Sequence, residues 1–537
     1  MSRTCTTSSR STATASGVAA LLATVVLALV VPTAGLASAA LAEVPAPTVT
    51  EIPYDAGLHG HPMWDSWFDL SAFGYEQHEY LVAGTATATG SDQTAEYATR
   101  IIVARPSDPA AFHGTVMLDW VNVTAQFENA VNTASSIQFL LRDGWGYVHV
   151  SAQAAGLCCT PLTPQVFDPA RYAELSHPGD EYANDIFSQV AKAIRAPADV
   201  DPMGGLDVEV VIAAGQSQGG SRLSDYIVTT AAQAGVIDAV LQQAGGTKNY
   251  EVAPSLPVIH LLGDREGSVA DPTPWPTYRL WEVAASAHQD SWIGRQQTEG
   301  ASRRLAGAGQ LSRAEAESLW ASAGNFGEQL DPREEVCIVN GALFPTRYAD
   351  NAALFQLDRW VRTGVAASQP PRYQFDGTAL AKDADRNTLG GLRLPPIEAA
   401  VARYIADLCN LGGITIPFTE VELINRYGDH ASWYALMVAA TEVSVSDGYL
   451  LVEDALDLLA RSCAARPRFM DTSTGPCGPE PNFTVAPAGD TAPAEQPPAE
   501  PAPDPLPATG GGWSPWAVII GLGAVTARRS SVRRRPA

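Results

Sequence analysis

Residues 208–227, "VEVVIAAGQSQGGSRLSDYI", set Ser217 between Gly215 and Gly219 where an apolar run gives way to a helical pattern. A chain that leaves a strand and starts a helix within so few residues must turn sharply. Only small neighbours fit around the serine at such a turn. The surrounding pattern says which sheet supplies the strand. Strand-like runs occur at 79–88, 97–106, 114–123, 146–153, 208–215, 238–245, 256–263 and 278–286. Helical patterns at 130–144, 180–195 and 221–235 separate most of the later ones. Early strands followed by strand–helix alternation imply an α/β architecture, largely parallel, with helices on both faces. The later runs are almost continuously apolar, as strands covered on both sides should be.

On such a sheet, G-x-S-x-G between strand and helix has the layout of a nucleophile elbow, with the Ser217 hydroxyl exposed above the strand ends. A serine nucleophile needs a base, and the base needs a carboxylate to orient it. Of the later histidines, His260 lies inside the run "PVIHLLG" and reads as a core residue, and His430 lies far along the chain. His288 follows the last strand-like run in "RLWEVAASAHQD" and is the expected base. The acid is expected after "PVIHLLG", where "GDREG" offers Asp264 and Glu266. In many hydrolases with this strand and elbow layout the acid comes three residues after the glycine that ends the strand; that resemblance favours Glu266 and would leave Asp264 as an exposed loop charge. Backbone N–H groups of Gln218 and Val123 are the expected oxyanion donors. Residues 147–153 are expected to line the neighbouring wall.

The ends of the chain differ from its middle. Residues 1–42 combine Arg3 and Arg10, the apolar run "GVAALLATVVLALVV" and small residues before Glu43, which is the layout of a secretory signal peptide. At the other end, "LPATG" at 506–510 precedes a short apolar stretch and five arginines. The apolar stretch would halt the chain in the membrane, and the arginines would resist crossing it. These three parts in order resemble the sortase sorting signals of Gram-positive surface proteins. The resemblance implies cleavage between Thr509 and Gly510, transient membrane contact, and transfer by sortase to the peptidoglycan of the cell wall. Residues 479–505, rich in Pro, Ala and Glu, read as an extended spacer.

The formal charge of −24 over 537 residues argues against nucleic acid as a partner. Six cysteines lie beyond the signal peptide, and an even number on an exported chain favours disulfides. Cys463 and Cys477 are the best single pair, and the adjacent Cys158 and Cys159 are expected to pair elsewhere. No spacing suggests a metal site, and the proposed chemistry needs no cofactor.

The stretches "VMLDWVNV", "GYVHVSAQAAGL", "DPARYAELSHPGDEYANDIFSQV", "GQSQGGSRLSDYI", "YRLWEVAASAHQD", "LDRWVRTG" and "NTLGGLRLP" resemble the bacterial alpha/beta hydrolase domain-containing proteins. The resemblance spans about residues 50–460 and implies an α/β-hydrolase fold, an elbow serine at Ser217, a histidine at His288 and an acid within "GDRE". Gly220 and the glycine-poor "AASAH" depart from the expected pattern. In "HPGDEYANDIF", Asp180 is placed where it could cap the helix that follows, with a purely structural role as the alternative. Arg393 is expected in a structural salt bridge. Trp64, Trp67, Trp120 and Trp275 are candidates for either core or pocket.

The expected organisation is therefore a hydrolase core over 43–300 and a helical part over 301–478 that could form a cap, between the signal peptide and the spacer with its sorting signal at 506–537. The expected activity is that of a secreted, wall-anchored carboxylesterase acting on a small-molecule ester. A serine peptidase or amidase on the same fold, and a non-catalytic adhesion module, are the alternatives.

Overall fold

A computed structural model describes residues 43–322, 341–409 and 411–483. The expected signal peptide, most of the expected spacer, the expected sorting signal with Thr509 and Gly510, and Cys337 lie outside the described residues.

Nine strands form one sheet in the order β1-β2-β3-β5-β4-β6-β7-β8-β9. These are β1 (Thr48–Ile52), β2 (Tyr75–Thr87), β3 (Thr94–Pro106), β4 (Thr115–Trp120), β5 (Gly146–Val150), β6 (Val210–Gln216), β7 (Ala239–Gln243), β8 (Val258–Leu262) and β9 (Tyr278–Glu282). The β1–β2–β3–β5 edge is antiparallel. From β5 through β4 to β9 every pairing is parallel. Eight strands fall on the eight runs read from the sequence. β1 was not anticipated, because only one of its five residues is buried and it carries no apolar alternation.

Successive residues of a strand point to opposite faces, and both faces of the parallel part are covered. On one face, Met117, Ile212, Leu241 and Ile259 share a core with Phe139 and Leu140 of α1 (Val131–Arg142) and Leu354 and Leu357 of a later helix, Arg347–Thr363. On the other, Val116, Val211, Ala213 and Val240 meet Ile186, Phe187 and Val190 of α2 (Ala183–Arg195) and Leu223 and Tyr226 of α3 (Gln218–Thr229). This is the α/β-hydrolase fold.

After β9 come α4 (Ser291–Leu305), α5 (Arg313–Ser322), α6 (Arg347–Thr363), α7 (Glu420–Tyr427), α8 (His430–Ser446) and α9 (Val452–Ala464). Between α6 and α7 the chain is mostly irregular, with two small two-stranded sheets, and so departs from the helical reading of that region. Among the described residues no helix is long and apolar enough to cross a membrane. Cys463 is bonded to Cys477. Cys158 is bonded to its neighbour Cys159, against the expectation that each pairs elsewhere, and Cys159 adopts φ 83°.

A buried ionic cluster ties two loops to the sheet. Arg100 on β3 meets Glu79 of β2 at 2.6 Å and Glu128 of the loop after β4 at 2.5 Å. Arg171 reaches the other Glu79 oxygen at 2.6 Å. Buried charges of this kind are tolerated only when paired.

Candidate active site

The turn from β6 into α3 is so tight that side chains are excluded around it. Ser217 itself adopts φ 57° and ψ −111°, a conformation that non-glycine residues rarely hold and that costs roughly 1–3 kcal/mol. The surrounding packing enforces it. A Cβ on Gly215 would lie 2.7 Å from the Gly219 carbonyl, and one on Gly219 would lie 2.7 Å from the Trp120 oxygen. Gly245, at the end of β7, approaches so closely that a Cβ there would meet the Ser217 oxygen at 2.1 Å. The Ser217 N–H donates to Gln243 O at 2.8 Å. Gly220, unexpected from the sequence, is explained here: a Cβ would press on Gln243 O at 2.9 Å and Gly215 O at 3.0 Å.

Ser217, His288 and Glu266 form one hydrogen-bonded line. The Ser217 Oγ lies 2.9 Å from His288 Nε2, and His288 Nδ1 lies 2.6 Å from Glu266 Oε1. Both His288 and Glu266 are mostly buried. The other Glu266 oxygen accepts the Gly263 N–H at 3.1 Å, so the carboxylate is held at both ends. Gln216, not singled out from the sequence, donates its side-chain N–H to His288 O at 3.0 Å and fixes the histidine backbone.

Asp264 is not the exposed loop charge expected of it. It is 4% exposed. It accepts the Ala285 N–H at 2.9 Å, Lys382 at 3.1 Å and the Thr388 hydroxyl at 2.5 Å. Burial pushes its carboxyl above the usual range despite Lys382. Ala285, in the "AASAH" stretch, has φ 67°, where glycine would be the easier choice. Asp264 therefore pins the strained turn that delivers His288.

His260 lies in β8 between Tyr278 OH at 2.7 Å and Gly245 O at 2.9 Å, and burial lowers its pKa to about 3. His430 is buried at the start of α8 and bonds Ser462 O at 3.0 Å. Arg393 pairs with Glu398 at 2.7 Å. Trp67 and Trp120 are core residues, and the Trp275 indole donates to Tyr250 O. Trp64 stacks against Phe127 of the loop after β4. Asp180 does not cap the helix: its carboxylate accepts from Gln153 at 2.7 Å and from the Ala154 N–H at 3.1 Å, and it pairs with Arg222.

Gln218 opens α3, so its N–H has no carbonyl of a preceding turn to bond. The helix dipole there favours negative charge. The Val123 N–H, 3.3 Å from Gln218 Oε1, faces the side chain of the residue next to the serine. The Thr124 N–H is taken by Asn122 Oδ1 at 2.9 Å. Among the described residues no cluster of three or more His, Cys, Asp or Glu could hold a metal ion.

The chain belongs to the alpha/beta hydrolase domain family, whose pattern it matches over residues 44–460. No curated protein matches it significantly. Among solved structures it is similar to a lidless α/β serine hydrolase from Xanthomonas campestris, with 14% identity, 42% of this chain and 93% of that one covered, and a TM-score of 0.24. It is also similar to the esterase Est22, with 11% identity, 37% and 68% covered, and a TM-score of 0.25. A prolyl endopeptidase structure matches at 11% identity over 45% of this chain and 34% of that one, with a TM-score of 0.23.

Beneath the serine lies a buried polar layer. Gln243, whose carbonyl holds Ser217, donates its side-chain amide to Asp350 at 2.9 Å and accepts from Asn132 at 2.8 Å. Burial pushes Asp350 up from 3.8 to about 7, aided by nearby Asp290, which burial raises to about 6. A carboxyl whose pKa is raised by folding binds its proton more tightly in the folded chain. Its contribution is full below about pH 4 and is lost as pH rises through about 7. Asp350→Asn should therefore shrink the fall in Tm between pH 5 and pH 8, as read by differential scanning fluorimetry. An unchanged fall would mean that Asp350 does not carry it.

Proposed function

We propose that this α/β hydrolase is a serine hydrolase acting on carboxylic esters through an acyl-enzyme. The observation that supports it is the unbroken line from Ser217 Oγ through His288 to Glu266, with contacts of 2.9 and 2.6 Å. His288 Nε2 takes the proton as Ser217 attacks the ester carbonyl. Glu266 holds the imidazole in the tautomer that presents Nε2 as acceptor and stabilises its positive charge. The Gln218 and Val123 N–H groups receive the oxyanion, a contribution on the order of 3–4 kcal/mol per donor. His288 then returns the proton to the departing alcohol, and water activated by the same histidine frees the acid.

Removing the charge of the orienting acid costs about 10⁴ in kcat in a serine protease. Glu266→Gln is expected to be nearly inactive on a p-nitrophenyl ester near pH 8. Asp264→Asn should keep its kcat per folded molecule, because the remaining side-chain oxygen can still accept the Ala285 N–H that sets the turn, and should lose thermal stability instead, because Lys382 and Thr388 lose their acceptor. The reverse outcome would transfer the acid role to Asp264.

We further propose export and wall attachment, on the signal-peptide layout at 1–42 and the "LPATG", apolar and arginine parts at 506–537. Thr509→Ala should leave the protein in the membrane or the medium rather than in the detergent-resistant wall fraction. Unchanged covalent attachment to peptidoglycan would contradict the sorting signal.

A further inference from the structure

Three of the sequence stretches that carry the family resemblance meet beside Ser217 in a way the triad does not use. They are "HPGDEYANDIF" with Asp180, "SAQAAGL" with Gln153, and "GQSQGGSRL" with Gln218 and Arg222. Asp180 accepts from Gln153 Nε2 at 2.7 Å, from the Ala154 N–H at 3.1 Å and from the Arg222 guanidinium. Gln153 Oε1 accepts the Trp120 indole N–H at 3.1 Å and Gln218 Nε2 at 2.6 Å. Gln218 Oε1 in turn accepts the Val123 N–H at 3.3 Å.

The direction of this relay is dictated by its ends. An ionised carboxylate can only accept, and an indole N–H can only donate. Gln153 must therefore turn its nitrogen to Asp180 and its oxygen to Trp120. That oxygen then claims the nitrogen of Gln218, which leaves the Gln218 oxygen facing the Val123 N–H. The opposite amide orientation at Gln218 would set a donor against a donor at the proposed oxyanion site. Asp180 is itself held in place. His177 Nε2 donates to Ala152 O at 3.0 Å, and His177 Nδ1 accepts the Gly179 N–H at 3.2 Å. Burial lowers the His177 pKa, which favours the neutral ring that this pair of bonds needs.

We infer that Asp180 is a positioning residue for the oxyanion site: through Gln153 it fixes the Gln218 amide so that the Val123 N–H stays aimed beside Ser217. This inference rests on the serine-hydrolase reading and extends it. The contact of Val123 with Gln218 is long, and a developing oxyanion is a far stronger acceptor than a neutral amide. The N–H can therefore transfer to the oxyanion in the transition state while the amide keeps the loop in register between turnovers. Asp180→Asn leaves one oxygen for three donors, so Gln153 loses its anchor and Gln218 its fixed orientation.

The test is a double-mutant cycle on a p-nitrophenyl ester with Asp180→Asn and Gln218→Leu. In the parent, Asp180→Asn should lower kcat by roughly tenfold or more, short of the loss of a whole oxyanion donor, with KM changed by less than about twofold. In the Gln218→Leu background the same substitution should cost less than about twofold, since linked residues are non-additive. The pH midpoint of kcat/KM should not move, because His288 and Glu266 stand outside the relay. Asp180→Glu, which keeps the charge, should recover part of kcat. If Asp180→Asn does not fold, Gln153→Met cuts the same relay one link further in and should give the same kcat loss. Equal losses in both backgrounds, or a kcat within twofold of the parent, would overturn the inference. A parent chain with no ester turnover would instead sink the serine-hydrolase reading, and this one with it.

Discussion

The site depends on a contact between two backbones. The end of β7 passes so close to the elbow that Gly245 has no room for a side-chain carbon against the Ser217 carbonyl. Gly215 and Gly219 close on each other from the remaining sides. Strain at Ser217 is thus opposed by packing on every side, and the parallel pairing of β6 with β7 holds the two backbones in register. A strained serine on a flexible loop would relax. Here it cannot, and its hydroxyl stays within hydrogen-bond reach of His288.

Each side chain of the candidate triad comes from a different strand end and is stiffened by its own contact. Ser217 follows β6. Glu266 follows β8 and is held by the Gly263 N–H. His288 follows β9, and its approach is set by the bond from Ala285 to Asp264 and by Gln216 beneath. The loop after β4, which carries Val123, is fixed from outside through Glu128 and Arg100, and from inside through Gln218. The sheet supplies direction, and the buried polar groups supply the last ångström of placement.

Much of this was legible in the chain itself. Eight of the strands show as strand-like runs, and the later six, β4 to β9, are almost continuously apolar because the parallel part of the sheet is buried on both faces and cannot alternate. β1 was not legible, because an exposed edge strand leaves no such mark. The G-x-S-x-G turn and the order of the strands pointed to Ser217 and His288, and the position of the acid in many hydrolases of this layout favoured Glu266 over Asp264; the folded chain brings these three side chains into one hydrogen-bonded line. What spacing could not show was burial. Asp264 looked like a loop charge only because Lys382 and Thr388, more than a hundred residues away, are invisible to local pattern. Asp180 looked like a helix cap for the same reason: Gln153 and Arg222 come together with it only in the folded sheet. The pairing of Cys158 with Cys159 depends on the backbone turn there, which sequence spacing does not encode.

The proposed mechanism stands on Ser217 as the nucleophile. Incubation with a fluorophosphonate and peptide mapping by mass spectrometry tests it most directly. A single adduct is expected on the peptide that contains "GQSQGGSR", at Ser217, and none in Ser217→Ala. An adduct on another serine, or an active chain that stays unlabelled, would contradict it.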